Sequence, residues 1–169
     1  MKKSAIYPAP QFYDTYISKV PDITLAAALT QSLQDLENLD MAQLEPRGDY
    51  AYAPGKWSIK NVLQHITDTE RIFNFRSLLY ARNDKAIPPG MDQDLYADNS
   101  FVDHRSVAEV LGELIAVRHA TIAMYKGFPD EVLLRTGISW KYEMSVLAMG
   151  FTTVGHQLHH LQILRERYL

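Results

Sequence analysis

The chain has 169 residues, 47% hydrophobic and 22% charged, a formal net charge of −3 and no cysteine. That length suits one domain spanning residues 1–169, with an ordinary globular composition and enough chain to bury a core without staples. The missing cysteines exclude disulfides, thiolate zinc sites, iron–sulfur clusters and a cysteine nucleophile, so any metal must sit on nitrogen and oxygen ligands.

No stretch concentrates Lys or Arg, which argues against a nucleic-acid partner, since binding a phosphate backbone needs a basic face. The first residues carry two lysines but no apolar run long enough for a signal peptide. Nothing downstream approaches the ~18 apolar residues of a membrane span. No membrane partner is expected, and the expected location is cytoplasmic.

Taken in order, a short helix is plausible around residues 11–18, followed by the first long helix over 24–41, with Leu25, Leu29, Leu33 and Leu36 on one stripe. The loop 45–57 holds Pro46, Gly48, Pro54 and Gly55 and disfavours strands. The second helix starts at Ser58 as cap, with Trp57 placed to staple onto Val62, and runs to about Arg82. A long loop, 83–101, contains Pro88, Pro89 and Gly90 among many Asp and Asn residues. The third helix opens on Ser106-Val-Ala-Glu109, which has capping-box spacing, and ends near Gly127. Residues 128–142 fit either a short helix or a hairpin. The fourth helix covers 143–168. Four long helices without credible strand pairs predict an all-α four-helix bundle with long loops between helices 1 and 2 and between helices 2 and 3.

Three of the six histidines sit where chemistry can use them. His156 and His160 are four apart, hence one turn apart on one helical face, a spacing that lets two imidazoles ligate one ion. Gln157 stands where a zinc protease of the HExxH type carries its glutamate, which argues against that activity. Met149, Thr152, Thr153 and Ile163 share the face, so the pair should point inward, while His159 projects to the other side as a surface residue. His65 lies on the second helix among Val62, Thr69 and Ile72, and a histidine in apolar company needs a reason. A lone buried histidine is more often a core residue bonded to a carbonyl. An inward pair plus a third inward histidine shifts the balance toward a divalent metal: zinc, nickel, iron or manganese. Three ligands leave a position open for water or substrate, as in catalytic sites. Asp68, one turn after His65, is a candidate fourth ligand, base or supporting partner, or simply a surface carboxylate.

The run Pro54-Gly-Lys-Trp-Ser-Ile-Lys-Asn-Val-Leu-Gln-His65-Ile-Thr-Asp68-Thr-Glu-Arg71, with Pro89-Gly-Met-Asp92-Gln-Asp94 after it, resembles the DinB-like (damage-inducible) superfamily. So does the close of the chain, Gly155-His156-Gln-Leu-His159-His160 onward to Tyr168. The resemblance covers roughly the last two-thirds of the sequence; the first helix matches only in length and character. It implies an up-up-down-down type of bundle, often dimeric, with a three-histidine metal site at His65, His156 and His160. It also implies thiol chemistry, since members with known activity include bacillithiol S-transferases and mycothiol-dependent maleylpyruvate isomerase. The expected cofactors are then one divalent metal ion and a low-molecular-weight thiol, and the partner is a small-molecule substrate. The leading expectation is a metal-dependent thiol S-transferase acting on small electrophiles. Its rivals are a metal-dependent hydrolase, in which hydroxide held on the metal attacks, and a non-enzymatic metal-binding stress-response module. Arg76 shares the His65 face, but eleven residues of helix, about 16 Å, separate the two. Asp92 and Gln93 are placed to close over the site.

The last helix is apolar over a wide arc. Leu147, Phe151, Val154, Leu158 and Leu161 form a second stripe opposite the histidines, where one bundle position needs only about 100°. The stripe is explained equally by a homodimer or by cover from the N-terminal residues Ile6, Tyr7, Phe12 and Tyr13.

Overall fold

Hydroxyl side chains start all four long helices in the computed structural model, which describes residues 1–169. Thr24, Ser58, Ser106 and Ser145 each accept from the backbone N–H three residues on, supplying one of the donors a helix start leaves unpaired. At Ser106 the capping box is complete, because the Glu109 carboxylate also accepts from the Ser106 backbone N–H at 2.8 Å.

In chain order the helices and strands are α1 (Asp14–Ile17), α2 (Leu25–Glu37), α3 (Met41–Leu44), α4 (Ile59–Ala81), α5 (Gln93–Asp98), α6 (Val107–Lys126), α7 (Asp130–Leu133), β1 (Thr136–Ser139), β2 (Tyr142–Ser145) and α8 (Val146–Arg167). Two boundaries differ from expectation. The first long helix stops at Glu37 because the Asp40 side chain accepts from the N–H groups of Ala42 and Gln43 and starts α3 as a separate turn. The fourth begins at Val146 because residues 142–145 pair antiparallel with 136–139 in a hairpin. The connection after α6 thus holds both a short helix and a hairpin.

The molecule is an all-α four-helix bundle with long connections after α2 and α4. α4 packs on α6 and α8, and α2 packs on the same two, so successive helices α2 and α4 sit on a diagonal. Cross-contacts give the directions. Ser32 meets Gln157 and Leu25 lies at Gly150, so α2 and α8 are parallel. Glu70 meets Arg118 and Ser77 meets Tyr125, so α4 and α6 are parallel. His65 meets His156, and Tyr168 Oη donates to the Trp57 carbonyl, so α4 and α8 are antiparallel. The chain therefore reads up, down, down, up, which corrects the phase of the expected up-up-down-down order. The reason is the connection 82–106. It runs back along α4, about 34 Å of helix, tied by Arg76 to the Pro89 carbonyl, by Asn61 to Ser100 and by Lys60 to the Asp103 carbonyl.

Two apolar clusters fill the ends of the bundle. One gathers Leu25, Leu29, Tyr80 and Phe151; the other gathers Leu36, Leu63, Leu114 and Leu161. Between them lies a polar layer of Ser32, Glu70, Arg118, Thr121 and Gln157, all buried. The second stripe of α8 is covered from within the chain. α1 lies along it, and a Cβ on Gly155 would overlap the Tyr16 carbonyl. Leu147, Phe151, Val154 and Leu161 are each at most 2% exposed and Leu158 is half-buried; the N-terminal segment packs with the first three and the helices of the bundle with Leu161, so the stripe is covered within one chain. No helix is long and apolar enough to cross a membrane.

Candidate metal centre

Antiparallel packing of α4 on α8 sets one turn of each helix face to face, and the three predicted histidines occupy it. His156 Nε2 lies 3.1 Å from His65 Nε2 and 3.1 Å from His160 Nε2. One ligand atom from each of the three falls within 4.8 Å of the other two. A tetrahedral ion held at about 2.05 Å by imidazoles sets its nitrogens about 3.3 Å apart, so the two short edges already have the required size. His65 and His156 are buried, and His160 is half-buried.

Electrostatics keep these rings neutral. Burial pushes His65 down from 6.5 to about 4, and burial with the charges of His65 and His159 pushes His160 to about 3. His156 falls well below its ordinary value, first by burial, then through His160, His65, His159 and Arg118. At neutral pH three lone-pair donors therefore converge with no acid among them, and the Nε2 atoms have only one another as partners. Such a set fits a borderline divalent ion better than a hydrogen-bond network, since a neutral imidazole offers only one N–H. Trp57 packs on His65 with ring centroids 4.7 Å apart, rather than serving only as a staple on Val62, and Tyr16 and Phe73 meet His156 edge-on at 5.3 and 5.9 Å.

The centre opens into a cavity of ≈ 300 Å³. Phe12, Tyr13, Tyr16, Phe73 and Trp140 give it aromatic walls, Arg76 stands in its side, and Met91 and Gln93 come from the connection 82–106. Gln93 thus lines the space over the histidines as expected, whereas Asp92 caps α5 with its side chain.

Asp68 is not brought to the centre. Its carboxylate accepts from Gln64 at 3.0 Å and pairs with Arg71 at 3.4 Å, facing Tyr96 and Asn99 in a separate depression. Three residues past His65 is about 60° around the helix, and Arg71 and Gln64 hold it there. No carboxylate lines the cavity at the histidines. Gln157 points the other way, donating to the Ser32 carbonyl at 2.8 Å on α2. His159 is half-buried against Tyr16 rather than free on the surface, with ring centroids at 5.5 Å. Tyr16, Phe73 and Trp140 were not singled out from sequence. Their signal is tertiary, because α1, α4 and the hairpin meet at the cavity only after folding.

A family model described as the DinB superfamily matches residues 24–164. The chain belongs to the DinB superfamily. The match reaches back into α2, beyond the segments whose motifs carried the resemblance. Among solved structures, YfiT from Bacillus subtilis superposes with a TM-score of 0.64 at 18% identity, over 90% of this chain and 86% of that one. At that identity the likeness shows the fold; YfiT is described as a probable metal-dependent hydrolase with an unusual four-helix-bundle topology. No curated protein matches the chain.

The metal-free DinB-superfamily fold should be acid-sensitive. Folded, the buried histidines stay neutral down to about 4 and about 3, while unfolded they take protons below about 6.5. Their stabilising contribution is complete above pH 6.5 and is lost as pH falls toward the folded values, at up to ~1.4 kcal/mol per pH unit for each. With chelator present, the thermal midpoint should drop steeply between pH 6.5 and 5. In a folded His65→Gln variant the slope should be shallower. Equal slopes would mean that His65 takes a proton without unfolding.

Proposed function

We propose that the protein is a metal-dependent enzyme of the thiol S-transferase type, acting on small electrophiles. His65, His156 and His160 are its metal ligands. The observation that carries this reading is the convergence of three neutral imidazole nitrogens at the end of an aromatic cavity without a carboxylate. When bound, a divalent ion would supply a Lewis acid able to lower the pKa of a small thiol and hold it as thiolate.

The chain's own residues bind, orient and shield. Trp57, Tyr16 and Phe73 lock the imidazole rings and exclude water from their apolar faces. Burial keeps the rings unprotonated, so their lone pairs stay available near neutrality. The thiol proton would pass to solvent, and the sulfur–carbon bond would form as the electrophile's leaving group departs with its electron pair, a sequence that suits a cavity without Asp or Glu. A metal-dependent hydrolase is the second reading, favoured by the description given to YfiT. It asks for a group to manage protons, and Asp68 is turned away from the cavity.

The two readings separate by assay. With zinc-, nickel-, iron- or manganese-loaded protein, consumption of an electrophile such as 1-chloro-2,4-dinitrobenzene should require a low-molecular-weight thiol and rise at least tenfold when one is added. Turnover of activated esters without any thiol would overturn the transferase reading in favour of hydrolysis.

A further inference from the structure

The protein buries two arginines in its interior that have opposite surroundings. Arg118 is fully buried and neutralised, with Nε and one terminal nitrogen each 2.8 Å from the Glu70 carboxylate. Arg76 is only 4% exposed and enters none of the ion pairs of the chain. Its two terminal nitrogens donate to neutral acceptors, Ser139 Oγ and the Pro89 carbonyl, each at 3.0 Å. Its Nε–H has no partner. A buried charge without a counter-ion is costly, and an unpaired donor beside it adds to the cost. A ligand that supplies the missing negative charge would offset that cost.

Arg76 lines the cavity that ends at His65 and His156. Arg76 and His65 share one face of α4, about 16 Å apart along the axis, and both line the cavity. Between them the walls are Phe73, Met91 and the aromatic rings. At the mouth, Phe12 and Trp140 both adopt left-handed backbone conformations, φ 69° and 59°, with ring centroids 6.0 Å apart. Bulky residues seldom take that conformation, and here it turns two half-exposed aromatic rings over the opening.

We infer that Arg76 is the anion-recognition residue of this cavity and that the substrate carries a carboxylate on a flat apolar body, with its reactive end at the histidine centre. The guanidinium of Arg76, which lines the cavity and has terminal N–H groups beyond those given to Ser139 and Pro89, takes the carboxylate as a charge-assisted hydrogen bond, and the aromatic walls take the body. The assignment rests on reading the cavity as the substrate site, but not on which ion the histidines hold.

The test uses the full chain, made metal-free with chelator and separately loaded with zinc, titrated calorimetrically with 3-phenylpropionate and with its uncharged amide. The acid should bind metal-free protein at least tenfold more tightly than the amide. Arg76→Gln should remove that preference, and Arg76→Lys should retain part of it, because it keeps the charge without the fork. Equal binding of acid and amide, no binding of either at millimolar concentration, or a preference that survives Arg76→Gln would overturn the assignment. So would a preference seen only with zinc and lost in His65→Ala, since the metal would then be holding the carboxylate. If neither arginine variant folds, the acid-to-amide ratio on wild-type protein decides. A failed metal-content measurement with the acid preference intact would sink the enzyme reading but not this one.

Discussion

His156→Ala should abolish metal binding, taking the bound metal of untagged protein from close to one equivalent per chain to below a tenth. His156 is the hub of the centre, because both short nitrogen–nitrogen distances, 3.1 Å each, run through its Nε2. Without it, His65 and His160 are two ligands on different helices, and no carboxylate lines the cavity to replace the third. Mass-spectrometric metal analysis after loading with zinc, nickel, iron or manganese gives the result directly, with circular dichroism to establish folding. His159→Ala serves as the control. It neighbours the centre, with its ring centroid 5.0 Å from that of His160, yet is not one of the converging donors, so its metal content should match the wild type. Metal should also raise the wild-type unfolding midpoint, since an ion at a thousandfold its dissociation constant adds ~4 kcal/mol to the folded state. That increment should vanish in His156→Ala. Full metal content in a folded His156→Ala variant would sink the three-histidine centre.

Glu70→Gln should be among the most destabilising single substitutions in the chain, costing about 3–5 kcal/mol in denaturant unfolding. The carboxylate accepts twice from Arg118 and once from Thr121 Oγ1 at 2.6 Å, deep in the polar layer between the apolar clusters. Arg118 donates its other terminal nitrogen to Ser32 Oγ on α2, so one ion pair joins three helices at a single level. Neutralising Glu70 leaves a guanidinium with 0% exposure and no counter-ion. Removing both partners should be far milder. A double Glu70→Leu, Arg118→Met variant should recover most of the loss, because two desolvated charges are exchanged for apolar packing of similar volume. A double variant as unstable as Glu70→Gln would show that the pair contributes more than its own desolvation cost, through the register of α2, α4 and α6. The contrast with Arg76 follows: where the fold needs a buried arginine for itself, it supplies the carboxylate.

The bundle and the centre were legible in the sequence for reasons that are local. Caps at Ser58 and Ser106 and the apolar stripes mark the long helices, because hydroxyl acceptors and 3.6-residue periodicity act within a turn or two. His156 and His160 share a face by spacing alone, and the apolar neighbours of His65 marked it as inward. The local rules left the connection after α6 open between a short helix and a hairpin, and both are present. They failed at the break before α3, where an aspartate cap overrode a continuing helical pattern.

By itself, the sequence determined an all-α bundle without cysteine ligands or a cysteine nucleophile and the three histidines that can serve one ion. These depend on residue type and on spacing along single helices. Tertiary structure alone decided the up-down-down-up order, the cover over α8, the placement of Asp68 in an ion pair outside the cavity and the exposure of Arg76 to it. Each of these depends on which residues far apart in the chain become neighbours. The connection 82–106 shows why: nothing in its composition says that it runs back along α4, yet that path sets the helix directions and brings Met91 and Gln93 over the histidines.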